Sequence, residues 1–192
     1  EFEARRRGEH PLDAYTPYEI RNAVALLRLG WKERALGLLE WLVADQRPPG
    51  WRQWPEVTTR DPRTPRFLGD LPHGWVASSF LRAVRRLVAY ERDEEGSLVV
   101  AAGIPEAWLR SGEGVRARGL PTHFGVLDLW LRAEGEDRVR VHVGGACRPP
   151  GGVVLVAPLA RPLREARLDG RAVRLADPHQ LLLRELPAEV EL

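Results

Sequence analysis

The 192-residue sequence has no methionine, one cysteine and one lysine, Lys32, among its 29 basic residues. A single thiol, Cys147, cannot close an internal disulfide or build a cysteine-rich metal site. No apolar run approaches the roughly 20 residues needed to cross a bilayer, and no leader pattern of charged, apolar and small residues opens the chain. A membrane partner is therefore not expected. Charge of one sign is also missing. Residues 1–95 hold 16 basic against 15 acidic side chains and residues 96–192 hold 13 against 12, for a net charge of +2. A surface that tracks a phosphate backbone needs a one-sided basic excess, so no nucleic-acid partner is expected. The short Arg5-Arg6-Arg7 run lies among Glu1, Glu3 and Glu9 and reads as a solvated segment. No glycine-rich phosphate loop and no Gly-x-Ser-x-Gly elbow occurs, and no cofactor or metal is implied by ligand spacing.

What is abundant is tryptophan, glycine and proline. There are seven Trp, and five of them (Trp31, Trp41, Trp51, Trp54, Trp75) fall within residues 31–75; 18 Gly and 16 Pro signal many turns. The first half reads as helices. Thr16-Pro17-Tyr18-Glu19 has the form of a capping box with proline at the first helical position. Ile20, Ala23, Val24 and Leu27 then recur at helical spacing up to Gly30. A second helix is predicted over Trp31–Asp45, with Ala35, Leu38, Leu39 and Leu42 on one stripe. The two should form an antiparallel hairpin. A third is predicted over Trp75–Tyr90, with Val76, Phe80, Ala83, Val84, Leu87 and Val88 apolar.

After Gly96 the pattern turns to strands, predicted over 97–102, 115–120, 125–134, 138–144, 153–157 and 180–186. Leu168-Asp169-Gly170-Arg171 marks a hairpin. The expected fold class is α+β, with a helical segment over residues 1–95 and an antiparallel β-sandwich over 96–192. Three amphipathic helices leave few partners for their apolar faces, and the chain opens at Glu1 with no methionine. We therefore expect a piece of a longer protein.

The chemistry gathers in the aperiodic stretch between Pro48 and Gly74. Gly50-Trp51-Arg52-Gln53-Trp54-Pro55-Glu56 and Phe67-Leu68-Gly69-Asp70-Leu71-Pro72-His73-Gly74-Trp75 bring carboxylates, an imidazole and several indoles together. Loops this long are usually functional or disordered, and the Trp and Pro density favours an ordered one. Sugar sites use these groups: indole faces stack on sugar C–H faces while carboxylates and His bind hydroxyls. Glu56 is the candidate catalytic carboxylate. Its bland alternative is a solvent-facing loop residue paired with Arg52 or Arg60. Trp51, Trp54, Asp70, His73 and Trp75 are the candidate substrate-binding residues. Asp70 and His73 could instead cap the following helix, and any one of the indoles could be core.

Trp54-x-Glu56, His73-Gly74-Trp75-Val76-Ala77, Gly103-Ile104-Pro105 and Leu120-Pro121-Thr122-His123-Phe124-Gly125 form an ordered series. It resembles the C-terminal part of α/α-toroid (six-hairpin) glycoside hydrolases, especially the α-L-rhamnosidase type. The specific part of the resemblance covers about 25 residues. It implies the last helices of an α/α toroid followed by the C-terminal β-sandwich. It also implies that Glu56 is the general base of an inverting hydrolysis of a glycosidic bond, and that His73 and Trp75 line the sugar subsite. Val76 stands where the family has Ser, and Thr-His-Phe-Gly where it has Thr-Pro-x-Gly. The general acid of such enzymes lies on an earlier helix, so the chain alone should be inactive. The implied partners are an oligosaccharide or glycoside substrate and the missing N-terminal portion of the same enzyme, or another subunit. The alternative is a non-catalytic carbohydrate-binding or subunit-docking module.

Overall fold

A computed structural model describes residues 3, 4, 7, 9, 14–59, 61, 63, 68–136 and 138–192. The chain divides into two compact units, Glu1–Arg85 and Arg86–Leu192. Of the basic run near the start, Arg5 and Arg6 lie outside the described residues, as do Arg60 and Phe67; Arg7 pairs with Glu9 at 2.7 Å.

In the first unit the Thr16 hydroxyl accepts the N–H of Tyr18 at 3.4 Å and opens a single 3-10 turn, Pro17–Glu19. Helix α1, Ile20–Arg28, continues from it. It ends where Gly30 takes φ +78°. The Gly30 N–H reaches the Leu27 carbonyl and the Trp31 N–H reaches the Leu26 carbonyl. This paired closure needs a left-handed residue, which glycine supplies at no steric cost. Helix α2, Lys32–Ala44, then packs back on α1. The buried residues of α1 are Ile20, Ala23 and Leu27, and those of α2 are Ala35, Leu38, Leu39 and Leu42, the stripe that the spacing predicts. Each large side chain so buried stabilises by about 1.5–3 kcal/mol. A short strand β1, Ala14–Tyr15, pairs antiparallel with β2, Thr58–Thr59. Helix α3, Gly74–Val88, begins in this unit and its last turn lies past the boundary at Arg85; Val76, Ser79, Ala83 and Leu87 are buried along it.

The second unit is a β-sandwich around one core. One sheet has the order β10-β9-β12-β7-β6-β5, built from β5 (Val115–Thr122), β6 (Gly125–Glu134), β7 (Arg138–Gly145), β9 (Ala166–Leu168), β10 (Arg171–Val173) and β12 (Ala188–Glu191). The other has the order β11-β8-β4-β3, from β3 (Ala89–Arg92), β4 (Ser97–Val100), β8 (Val153–Val156) and β11 (Gln180–Leu183). A one-turn helix α4, Glu106–Leu109, follows β4. Alternation sorts the side chains. Leu127, Leu129 and Leu131 of β6 and Val139, Val141 and Val143 of β7 point into a core shared with Leu98, Val100, Val153, Leu155 and Leu183 of the facing sheet. All ladders are antiparallel except that of β4 with β8. The β9–β10 hairpin turns at Asp169 and Gly170, both at positive φ (50° and 77°), as a two-residue turn that matches strand twist requires. Cys147 is a buried free thiol, 3.5 Å from the Thr122 hydroxyl.

The architecture is α+β, helices first and a β-rich part after. Several elements differ from the spacing, which also does not predict α4 or the β1–β2 pair. The third helix stops at Val88, and Ala89–Arg92 is a strand pairing with β4. The last stretch is two strands, β11 and β12, rather than one. The aperiodic stretch around Glu56 pairs with the stretch around Asp70, although neither alternates. No helix among the described residues is long and apolar enough to cross a membrane.

Candidate functional site

The stretch from Trp54 to Thr58 runs antiparallel to that from Leu68 to His73. Four backbone links hold them: His73 N–H to the Trp54 carbonyl at 2.7 Å, Glu56 N–H to the Asp70 carbonyl at 3.0 Å, Gly69 N–H to the Val57 carbonyl at 2.8 Å, and a bridge between Thr58 and Leu68. This pairing sets Glu56 beside Asp70 and brings His73 alongside. Gly69 allows the close approach, since a Cβ there would lie 3.1 Å from the Val57 nitrogen and 3.3 Å from the Glu56 Cβ. Thr16, ahead of α1, donates its hydroxyl to the Glu56 carbonyl at 2.7 Å and fixes the loop from the other side.

The result is a compact group of three donors. One ligand atom from each of Glu56, Asp70 and His73 lies within 4.8 Å of the others. Glu56 and His73 are half-buried and Asp70 is exposed. Among the described residues neither carboxylate has a hydrogen bond or an ion pair, so the pairing of Glu56 with Arg52 that the sequence allows does not form. The His73 carbonyl accepts the Ala77 N–H and so starts α3, whereas the Asp70 side chain caps nothing. The imidazole stands edge-on to Tyr18 (ring centroids 5.7 Å apart) and to Trp75 (5.8 Å). Its Nδ1 is buried with no hydrogen-bond partner among the described residues. Arg21 lies over the Tyr18 ring at 4.4 Å and donates to Ser79 at 3.2 Å.

The three indoles occupy three different settings. Trp75, beside His73, is 73% exposed, and Trp51, on the turn after Gly50, is 64% exposed. Trp54 is 7% exposed and packs on Phe80 with ring centroids 5.2 Å apart. It supports the loop from below through its backbone bond to His73. Among the described residues no ring contact ties Trp51 to the Glu56 group. Thr16, Tyr18 and Arg21 complete the surroundings. Their helix-start and helix-face positions were legible, but nothing local to them signals a partner 40 or more residues away.

Chemically, two carboxylates and an imidazole at this spacing can orient a water, accept hydroxyl protons of a polyol, or hold a divalent cation. The exposed Trp75 face adds a flat apolar platform next to them.

No family model matches the sequence, and no curated protein matches it. Among solved structures the chain is distantly similar to a GH127 β-L-arabinofuranosidase from Geobacillus stearothermophilus T6. The identity is 12% and the TM-score 0.36, over 84% of this chain and 27% of that one. The chain thus spans about a quarter of that enzyme's length.

Proposed function

We propose that the chain carries part of a glycoside hydrolase active site, in which Glu56 is the general base of an inverting hydrolysis. The observation that supports this most is the half-buried Glu56 carboxylate, unpaired among the described residues and within 4.8 Å of Asp70 and His73 donors. A carboxylate that is not spent on an ion pair can accept the proton of an attacking water. Asp70 and His73 bind sugar hydroxyls, and the exposed Trp75 indole stacks on the ring. Trp51 offers a second exposed indole, while Trp54 holds the loop. Asp70 is too close to Glu56 to be the second catalytic carboxyl, because an inverting pair stands about 6.5–9.5 Å apart to admit the water and the sugar. We therefore assign the general acid to another segment of the enzyme or another subunit, and expect this chain alone to be inactive. The substrate is an oligosaccharide or glycoside.

The test is Glu56→Gln in the natural protein that contains this chain. Glutamine keeps the shape and the hydroxyl-binding capacity but cannot take a proton. Turnover of the best substrate from an aryl-glycoside panel should fall by about 10²- to 10⁴-fold while sugar binding persists. Unchanged turnover would favour a non-catalytic carbohydrate-binding or docking module.

The same distances favour a second reading. Glu56, Asp70 and His73 are a donor set that suits a divalent cation such as Zn²⁺, which takes three protein ligands and leaves one position open in catalytic sites. Chelation separates the two. Full turnover after EDTA and gel filtration supports the base alone, and loss restored by Zn²⁺ supports the cation.

A further inference from the structure

The outward face of the six-stranded sheet carries a row of side chains that crosses four strands. Arg116 of β5 is opposite Trp130 of β6, Trp130 is opposite His142 of β7, and His142 is opposite Glu189 of β12. Their neighbours along each strand, such as Leu129, Val141, Val143, Ala188 and Val190, fill the core, so the row faces the other way. The row is held in place. The Trp130 indole N–H donates to the Glu113 carbonyl at 3.0 Å, which sets the plane of the ring. The Arg116 guanidinium is 5.7 Å from the indole centroid. His142 Nδ1 and Glu189 Oε1 are 2.5 Å apart. Gly144 leaves room for the imidazole, since a Cβ there would come 2.8 Å from His142 Nε2. Asp128, opposite Gly144, accepts the Gly119 N–H at 2.7 Å.

Arg116, Arg118, Asp128, Trp130, His142 and Glu189 line a groove of about 370 Å³. That is the size of a small-ligand site. The two carboxylates that line it already accept internal hydrogen bonds, and Arg116 pairs with Glu113 at 3.3 Å. Arg118 is exposed and, among the described residues, has no ion pair or hydrogen bond. Here an indole tied back to the main chain lies in one groove with an exposed guanidinium that has no ion pair among the described residues. A ring with an apolar face and a carboxylate satisfies both.

We propose that this groove binds a uronate residue of an acidic oligosaccharide. The half-buried Trp130 stacks on the sugar ring. Arg118 takes the carboxylate through paired N–H bonds, the geometry in which a guanidinium recognises that group best. Asp128 and Glu189 use their remaining lone pairs to accept ring hydroxyls. The groove lies wholly in the second unit and shares no residue with the Glu56 group, so either assignment can fail without the other.

The experiment is a calorimetric titration of the full chain with trigalacturonate and, in parallel, with maltotriose. Trigalacturonate should bind saturably and at least tenfold more tightly than maltotriose. Trp130→Ala and Arg118→Gln should each weaken it by tenfold or more. Arg118 is exposed and has no hydrogen bond or ion pair among the described residues, so its variant remains informative if Trp130→Ala does not fold. Equal affinity for the two trisaccharides, absence of saturable trigalacturonate binding, or binding unaffected by Arg118→Gln would overturn the assignment.

Discussion

The Thr16 hydroxyl accepts the N–H of Tyr18 and donates to the carbonyl of Glu56, 40 residues along the chain. One side chain therefore caps the 3-10 turn that leads into α1 and holds the candidate base. Thr16→Val keeps the volume and removes both bonds, at a cost of about 1–2 kcal/mol in stability. If Glu56 is the base proposed above, kcat of the natural protein should drop while KM changes little under conditions where the variant remains fully folded, because Glu56 shifts and the proposed sugar contacts stay. A parallel change in KM, or no kinetic change, would make Thr16 a purely structural cap. A second single-residue dependence sits at the β5–β6 turn. Gly125 has φ +110°, and a Cβ there would come into hard overlap with the Ala146 carbonyl oxygen. Gly125→Ala combines a left-handed backbone with backbone overlap, so it should destabilise by about 3 kcal/mol in urea denaturation.

At the scale of elements, helix α4 has four residues and depends on side-chain links. Glu106 accepts from Arg110 at 2.9 Å, and Arg110 also donates to the Gly135 and Glu136 carbonyls at the β6–β7 turn. The Arg110 hydrogen bond holds the Glu106 carboxyl below its ordinary range, with a smaller contribution from the Ala160 N–H. A depressed carboxyl contributes stability above its unfolded pKa and loses it as pH falls through the folded value. The Glu106 carboxyl resonance should thus titrate below that of an unstructured glutamate, and Arg110→Gln should raise it. Titration at or above the ordinary value would contradict the link. This scale also separates what could be read in advance from what could not. The α2 stripe, the Gly30 stop and the Asp169-Gly170 hairpin are local, so spacing and turn chemistry suffice. No breaker separates Val88 from Ala89, and the run from Ala83 to Tyr90 reads as one helix; strand β3 exists because Ala89, Tyr90 and Glu91 pair with Val100, Val99 and Leu98. Likewise Glu56, Asp70 and His73 are conspicuous by type. Their juxtaposition comes from backbone pairing between two stretches that lack alternation, and that is invisible to a periodicity search.

At the scale of the molecule, the first unit carries the proposed catalytic group and the second a sandwich with a groove of its own. The division of labour follows from composition. Six of the 16 Pro and two of the seven Trp fall in the stretch between α2 and α3, while the strands of the second unit place their apolar residues in one shared core. The central claim concerns how Glu56 acts, and the stereochemistry of the first product reports on it directly. With Glu56 as a base that activates water, proton NMR of the natural protein with its substrate should show the inverted anomer first, with the other appearing only by mutarotation. Initial release of the retained anomer would contradict the account, because it would require a covalent glycosyl intermediate in place of a water activated by Glu56.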